Sequence, residues 1–106
     1  MNFDRWRIIM SDKQVIKRSA TIFKLLGDES KLSILYLLSK EESNVSTIVK
    51  KTGIEQSNVS HHLKTLKDSR LVSSRREGKS VVYFPDDHHV YEIIAQVFAH
   101  VKEDEE

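Results

Sequence analysis

A chain of 106 residues, 39% apolar and 31% charged, has the length and composition of one small globular domain. It contains no cysteine, which excludes disulfides, thiolate metal sites and thiol redox chemistry. The net charge of +1 hides a polarity: residues 50–80 carry eight Lys/Arg against three Asp/Glu, a net of +5, and residues 86–106 carry one Lys against seven acids, a net of −6. A basic centre suits a nucleic-acid face, and an acidic end calls for a different role.

The opening "MNFDRWRIIMSDK" lacks the apolar core of a signal peptide, and no run approaches the ~20 residues of a membrane span. A cytoplasmic protein with no membrane partner is the expectation. The first nine residues are read as showing no periodicity, and residues 1–12 as a flexible N-terminal extension, with Met10 as an alternative start, before a single domain over 13–104.

From Lys13 to Leu26, Val15, Ile16, Ala20, Ile22, Phe23 and Leu26 follow helical spacing, and Gly27 stops the run. Asp28 reads as the N-cap of a second helix in which Leu32, Ile34, Leu35 and Leu38 form a wide apolar face. A short third helix over 46–52 has Ser46 as its expected cap and Gly53 just past its end. A fourth, about Gln56 to Ser69, turns Val59, Leu63 and Leu66 inward. Its other face carries Ser57, Asn58, Ser60, His61, Lys64 and Thr65, all hydrogen-bond donors.

The period then changes. "LVSSRREGKSVVYFP" (71–85) alternates on either side of "REGK", the pattern of a β-hairpin turned at Gly78, with Arg75, Arg76 and Lys79 toward its tip. Pro85 ends the second strand, and "DDHHVYEIIAQVFAHVKED" returns to a helix with Val90, Ile93, Ile94, Val97 and Val101 along one side. Two helices joined by a tight turn, "VSTIVKKTGIEQSNVSHHLKTLKDSRLV", have a helix-turn-helix layout. The second is the right size for a major groove, with short polar groups near its start and Lys64 and Lys67 further along for phosphates. The basic hairpin suits a neighbouring backbone or minor groove. The fold class is therefore mainly α with a small β-hairpin (α+β), a winged helix-turn-helix. The rival reading of these polar groups is a solvated helix face.

Three stretches, "LGDESKLSILYLL", "SNVSHHLKTLKDSRLV" and "REGKSVVYF", resemble the signatures of the ArsR/SmtB family of winged-helix metalloregulatory repressors, and the resemblance runs from about residue 15 to 103. It implies a homodimer, joined through its terminal helices, that binds an operator inverted repeat in double-stranded DNA and loses affinity when an inducer binds. Gln56, Ser57, Ser60 and His61 match the family's base-reading positions. Two departures stand out. Glu55 replaces a frequent serine and is a poor N-cap. Arg70 replaces a frequent glycine at a turn that favours a left-handed residue.

The family's thiolate site needs cysteines in the third helix, where this chain has "ESNVSTI". The last helix remains. His89 and His100, eleven residues apart, return to nearly the same face but lie about 16 Å apart along the axis, too far for one ion. Two antiparallel copies around a two-fold axis near Ile94 bring the end of one helix to the start of the other. Asp87 and His89 would then meet His100 and Glu103 of the second copy. Two imidazoles and two carboxylates suit tetrahedral Zn²⁺, two ions per dimer, with Co²⁺ as a surrogate, whereas Ni²⁺ tends to take more ligands. The spacing D-x-H-x10-H-x2-E is similar, ligand for ligand, to the family's last-helix zinc site; His88 is offset from it and is expected to be exposed.

The resemblance therefore implies a zinc-responsive repressor of zinc efflux or resistance genes. The alternatives are a winged-helix regulator of the same fold without metal sensing, a module that does not bind DNA, and a zinc enzyme. A catalytic zinc needs an open coordination position, and neither that nor a pocket for a small organic substrate is suggested here, so no enzyme activity is expected.

Overall fold

The computed structural model describes residues 3–105, with side chains described over 11–104. The chain order is α1 (Phe3–Leu26), α2 (Glu29–Lys40), α3 (Val45–Thr52), α4 (Gln56–Asp68), β1 (Val72–Glu77), β2 (Ser80–Pro85) and α5 (His89–Lys102), ending in a 3₁₀ turn over Glu103–Glu105. The winged helix-turn-helix read from the sequence is present, element for element.

The first helix is the exception in length. Residues 3–12, expected as a flexible extension, form its opening turns; residues 1 and 2 lie outside the described residues. No Gly or Pro interrupts 3–26, and Phe3, Trp6 and Met10 stand at i, i+3 and i+7, a helical spacing that the expectation of an extension passed over. Among the described residues, Ile22, Leu25 and Leu26 near its end pack against the core.

Local chemistry sets the other boundaries. Asp28 accepts the Lys31 amide at 2.9 Å and starts α2, as expected. The cap of α3 is Asn44 rather than Ser46: its side chain accepts the Thr47 amide at 2.9 Å, which leaves Ser46 exposed on the first turn. Gly53, at φ +75°, closes α3 in the left-handed conformation.

The core is one cluster. Ile34, Leu35 and Leu38 from α2, Ile48 from α3, Val59, Leu63 and Leu66 from α4, Leu71 and Val72 at the start of the hairpin and Ile94 from α5 are all buried. Each such side chain contributes about 1.5–3 kcal/mol by leaving water. Ser43 pairs with Tyr83 through two backbone bonds (3.1 and 2.8 Å), so the loop after α2 adds a third, one-residue strand to the wing.

The turn out of α4 holds Arg70 at φ +62°, the one non-glycine residue with positive φ among the described residues. The Leu71 amide reaches back to the Leu66 carbonyl (2.9 Å) and the Arg70 amide to that of Lys67 (3.0 Å). This paired closure is a Schellman motif, and its apolar contact is supplied by the buried Leu66 and Leu71. Arg70 thus accepts a conformation that costs a non-glycine residue about 1–2 kcal/mol. Replacing it (Arg70→Gly) removes that strain and loosens the unfolded chain, for a net gain of about 0.5–1 kcal/mol. Thermal melting should show a Tm rise of a few degrees, and a fall would mean that the arginine side chain stabilises the turn.

His62 lies on the flank of α4 facing the start of α2. Its Nδ1 is buried without a partner. Burial first, then the Lys31 cation, holds its pKa below the ordinary imidazole value, against an opposing pull from Asp28. The unfolded chain therefore binds this proton more readily than the folded one. Stability from this group is whole above about pH 6.5 and falls as the pH drops through and below that value. Melting at pH 7.5 and 5.5 should show a lower Tm at 5.5, and His62→Gln should shrink the difference; an undiminished difference would remove His62 from the account.

Candidate nucleic-acid interface and metal-ligand helix

The amphipathic pattern of α4 resolves into two faces. Val59, Leu63 and Leu66 are buried, while Gln56, Ser57, Asn58, Ser60, His61 and Lys64 are all exposed. Every residue read from the sequence as a base or phosphate contact on this helix is thus open to solvent. The helix begins without a side-chain cap; instead the Ser57 hydroxyl donates to the Glu55 carboxylate at 2.9 Å, which ties down the first turn. Lys64 pairs loosely with Asp68 (3.5 Å) and Lys67 donates to Ser74 on β1 (2.7 Å), bracing helix against wing.

The hairpin closes with a two-residue loop, Gly78–Lys79, between the paired Glu77 and Ser80. Gly78, at φ +62°, occupies the first loop position, where a type II′ turn favours glycine. The three hairpin cations separate here. Arg75 is held by Glu42 (2.5 Å) from the loop after α2 and by Glu77, and it lies 5.2 Å from the centre of the Phe84 ring. These two carboxylates raise its pKa above the ordinary guanidinium value. Arg76 and Lys79 are exposed and carry no ion pair among the described residues. The free cations at the tip are therefore Arg76 and Lys79. The sequence could not have shown the Arg75–Glu42 pair, whose members are 33 residues apart.

At the other end of the chain, Asp87 Oδ1 accepts the His89 amide at 3.0 Å and lies 3.5 Å from His89 Nδ1. From just before the N-cap His88, Asp87 thus folds back onto the first amide of α5, and the two residues become a neighbouring pair. His88 stacks on His89 (ring centres 4.6 Å) but stays exposed, near Glu92 at 3.8 Å. His100 and Glu103 are exposed at the far end, Glu103 where the helix tightens into its 3₁₀ turn. At about 100° per residue, His89, His100 and Glu103 fall within about 60° of one another around the helix. Ile94, which enters the core, lies well off that arc. Among the described residues no three His, Asp or Glu side chains of one chain come together as a metal site. The two ligand pairs stay at opposite ends of α5.

The apolar residues of α5 also divide. Ile94 is buried and Val90 partly so, but Ile93, Val97 and Val101 are 43%, 53% and 58% exposed. On α1, Val15, Ile16 and Phe23 are exposed to a similar degree. No described helix is long and apolar enough to cross a membrane.

Comparison with known proteins agrees with this architecture. A family profile described as "Bacterial regulatory protein, arsR family" matches residues 28–74, from the cap of α2 to the first strand of the wing. The cadmium resistance transcriptional regulatory protein CadC homolog of Staphylococcus aureus is 36% identical over 85 residues, covering 79% of this chain and 70% of that protein. The transcriptional repressor SmtB homolog of a Synechocystis species is 33% identical over 87 residues, covering 82% of this chain and 66% of its own length. Among solved structures, the homodimeric winged helix-turn-helix DNA-binding domain of a possible ArsR-family regulator from Mycobacterium bovis superposes with a TM-score of 0.80 at 30% identity, covering 88% and 86% of the two chains. The chain belongs to the arsR family of bacterial regulatory proteins, and is a winged-helix DNA-binding regulator of transcription, not an enzyme.

Proposed function

We propose that the protein is a zinc-responsive transcriptional repressor of the cytoplasm. Its metal-free homodimer binds an inverted repeat in operator DNA, and zinc bound across the dimer interface causes derepression, in keeping with control of zinc efflux or resistance genes.

The observation that carries this reading is the arrangement of α5. Asp87 and His89 are already side by side at its start, His100 and Glu103 stand at its end, and all four are exposed. The rise of ~1.5 Å per residue keeps the two pairs about 16 Å apart along the axis, so each pair needs a complement from elsewhere. A second copy packed antiparallel about a two-fold axis near Ile94 supplies it twice. The apolar residues left in water on α1 and α5 support that packing, because covering them with their symmetry mates removes a patch that a monomer would expose. The Mycobacterium bovis neighbour is itself a homodimer.

The donor chemistry fits zinc. Two imidazoles and two carboxylates match its borderline character and fourfold coordination, and the lack of cysteine removes the thiolates that softer ions prefer. Asp87, His89, the partner's His100 and the partner's Glu103 would hold each ion, which would act as a structural cross-link between the subunits. Because zinc and DNA then compete for different arrangements of one dimer, each weakens the other by the same factor. Substituting His100→Asn or Asp87→Ala should leave metal-free operator affinity within about threefold and abolish the response to zinc. An operator affinity that does not change with zinc in the unaltered protein would sink the sensor reading.

On the DNA side, the exposed face of α4 carries Gln56, Ser57, Asn58, Ser60 and His61 toward base edges, with Lys64, Arg76 and Lys79 toward phosphates. Arg75 acts chiefly as a strut that holds the wing to the loop after α2. The salt dependence of binding separates these roles. Arg76→Ala and Lys79→Ala should each reduce the slope of log K against log salt by about one per site contacted, and Arg75→Ala by much less. Equal slopes for all three variants would return Arg75 to the set of phosphate contacts.

A further inference from the structure

A buried tyrosine hydroxyl has to find an acceptor. That of Tyr91, in the first turn of α5, donates to the Leu71 carbonyl at 2.8 Å, twenty residues back along the chain. The same carbonyl takes the Asp86 amide at 3.3 Å, and the Asp86 carboxylate takes the Ser73 hydroxyl at 3.0 Å. Leu71 is the residue that leaves the reading helix: its amide is bound to Leu66 of α4 and its side chain is buried. One residue is therefore gripped by the reading helix through its N–H and by the entrance to the last helix through its C=O. Asp87 and His89 lie four and two residues from Tyr91, on the same turn or the one before it.

We propose that Tyr91 is a positioning residue for the DNA-reading helix: within each subunit its bond to Leu71 ties the α4–β1 junction to the first turn of α5, so that a displacement imposed on α5 is passed to the reading face. The part concerning zinc rests on the reading of α5 given above; the tie itself does not. Arg70, directly before Leu71, sits in the strained left-handed conformation, so the junction is held by specific bonds rather than by backbone preference.

Tyr91→Phe keeps the ring and its packing and removes only the hydroxyl. Three measurements on the full-length protein suffice: amide hydrogen exchange without metal, zinc affinity against a competing chelator, and operator affinity with and without zinc. The loss of one hydrogen bond should speed exchange of the Leu71 and Asp86 amides by about five- to tenfold while leaving those of Ile34 and Leu35 unchanged. Zinc affinity should stay within about twofold, and the factor by which zinc weakens operator binding should shrink by about five- to tenfold. Unchanged exchange at Leu71 and Asp86 overturns the proposal, as does a variant that responds to zinc as fully as the unaltered protein. If the unaltered protein shows no zinc response, the sensor reading fails instead, and the exchange result alone decides whether Tyr91 holds the junction.

Discussion

The residue on which this structure turns is Leu71. Its amide completes the Schellman closure of α4, its side chain enters the core beside Leu66, and its carbonyl receives bonds from Asp86 and Tyr91 at the approach to α5. Reading helix, wing and last helix therefore meet within a few ångströms. The proposed tie through Tyr91 would couple rotation of the reading helix to the other two, which is the property a switch needs when its input and its output lie on different elements. The strain at Arg70 is consistent with that role: a turn specified by surrounding bonds tolerates a residue that backbone preference alone would refuse.

Most of the fold was legible because its signals are local. Asp28 and Gly53 mark helix ends by their own chemistry, and the periodicity of Val59, Leu63 and Leu66 separates the inner face of α4 from its outer one. The opening of α1 was missed: Phe3, Trp6 and Met10 stand at helical spacing, but three apolar positions make too short a run to separate a helix from an extension. Asn44 won the capping of α3 from Ser46 because both types cap well and only the chain path decides between them. Long-range pairs were out of reach altogether. Arg75 with Glu42, Ser43 with Tyr83, and Tyr91 with Leu71 join residues 20 to 40 positions apart, which no local pattern encodes.

The candidate metal site divides along the same line. Residue types and spacings were readable, and the structure adds that Asp87 folds onto the turn bearing His89, which sets the two side chains next to each other. It adds also that α5 is two-sided: Ile94 is committed to the core while Ile93, Val97 and Val101 are left in water beside the ligand arc. From sequence those residues form one apolar run. The division matters physically, since a helix whose apolar residues were all consumed by its own core would have nothing with which to pair.

The central proposal is that each metal site is shared between two copies of the chain. It is tested most directly by mixing two defective proteins. One carries Asp87→Ala with His89→Ala, the other His100→Asn with Glu103→Gln, so that each homodimer lacks half of every site. A heterodimer of the two retains one complete site and one with no ligands. Zinc titration against a chelator should find no tight site in either homodimer and one per heterodimer once the subunits have exchanged. Tight binding by either homodimer, or none by the heterodimer, would contradict a site built across the interface.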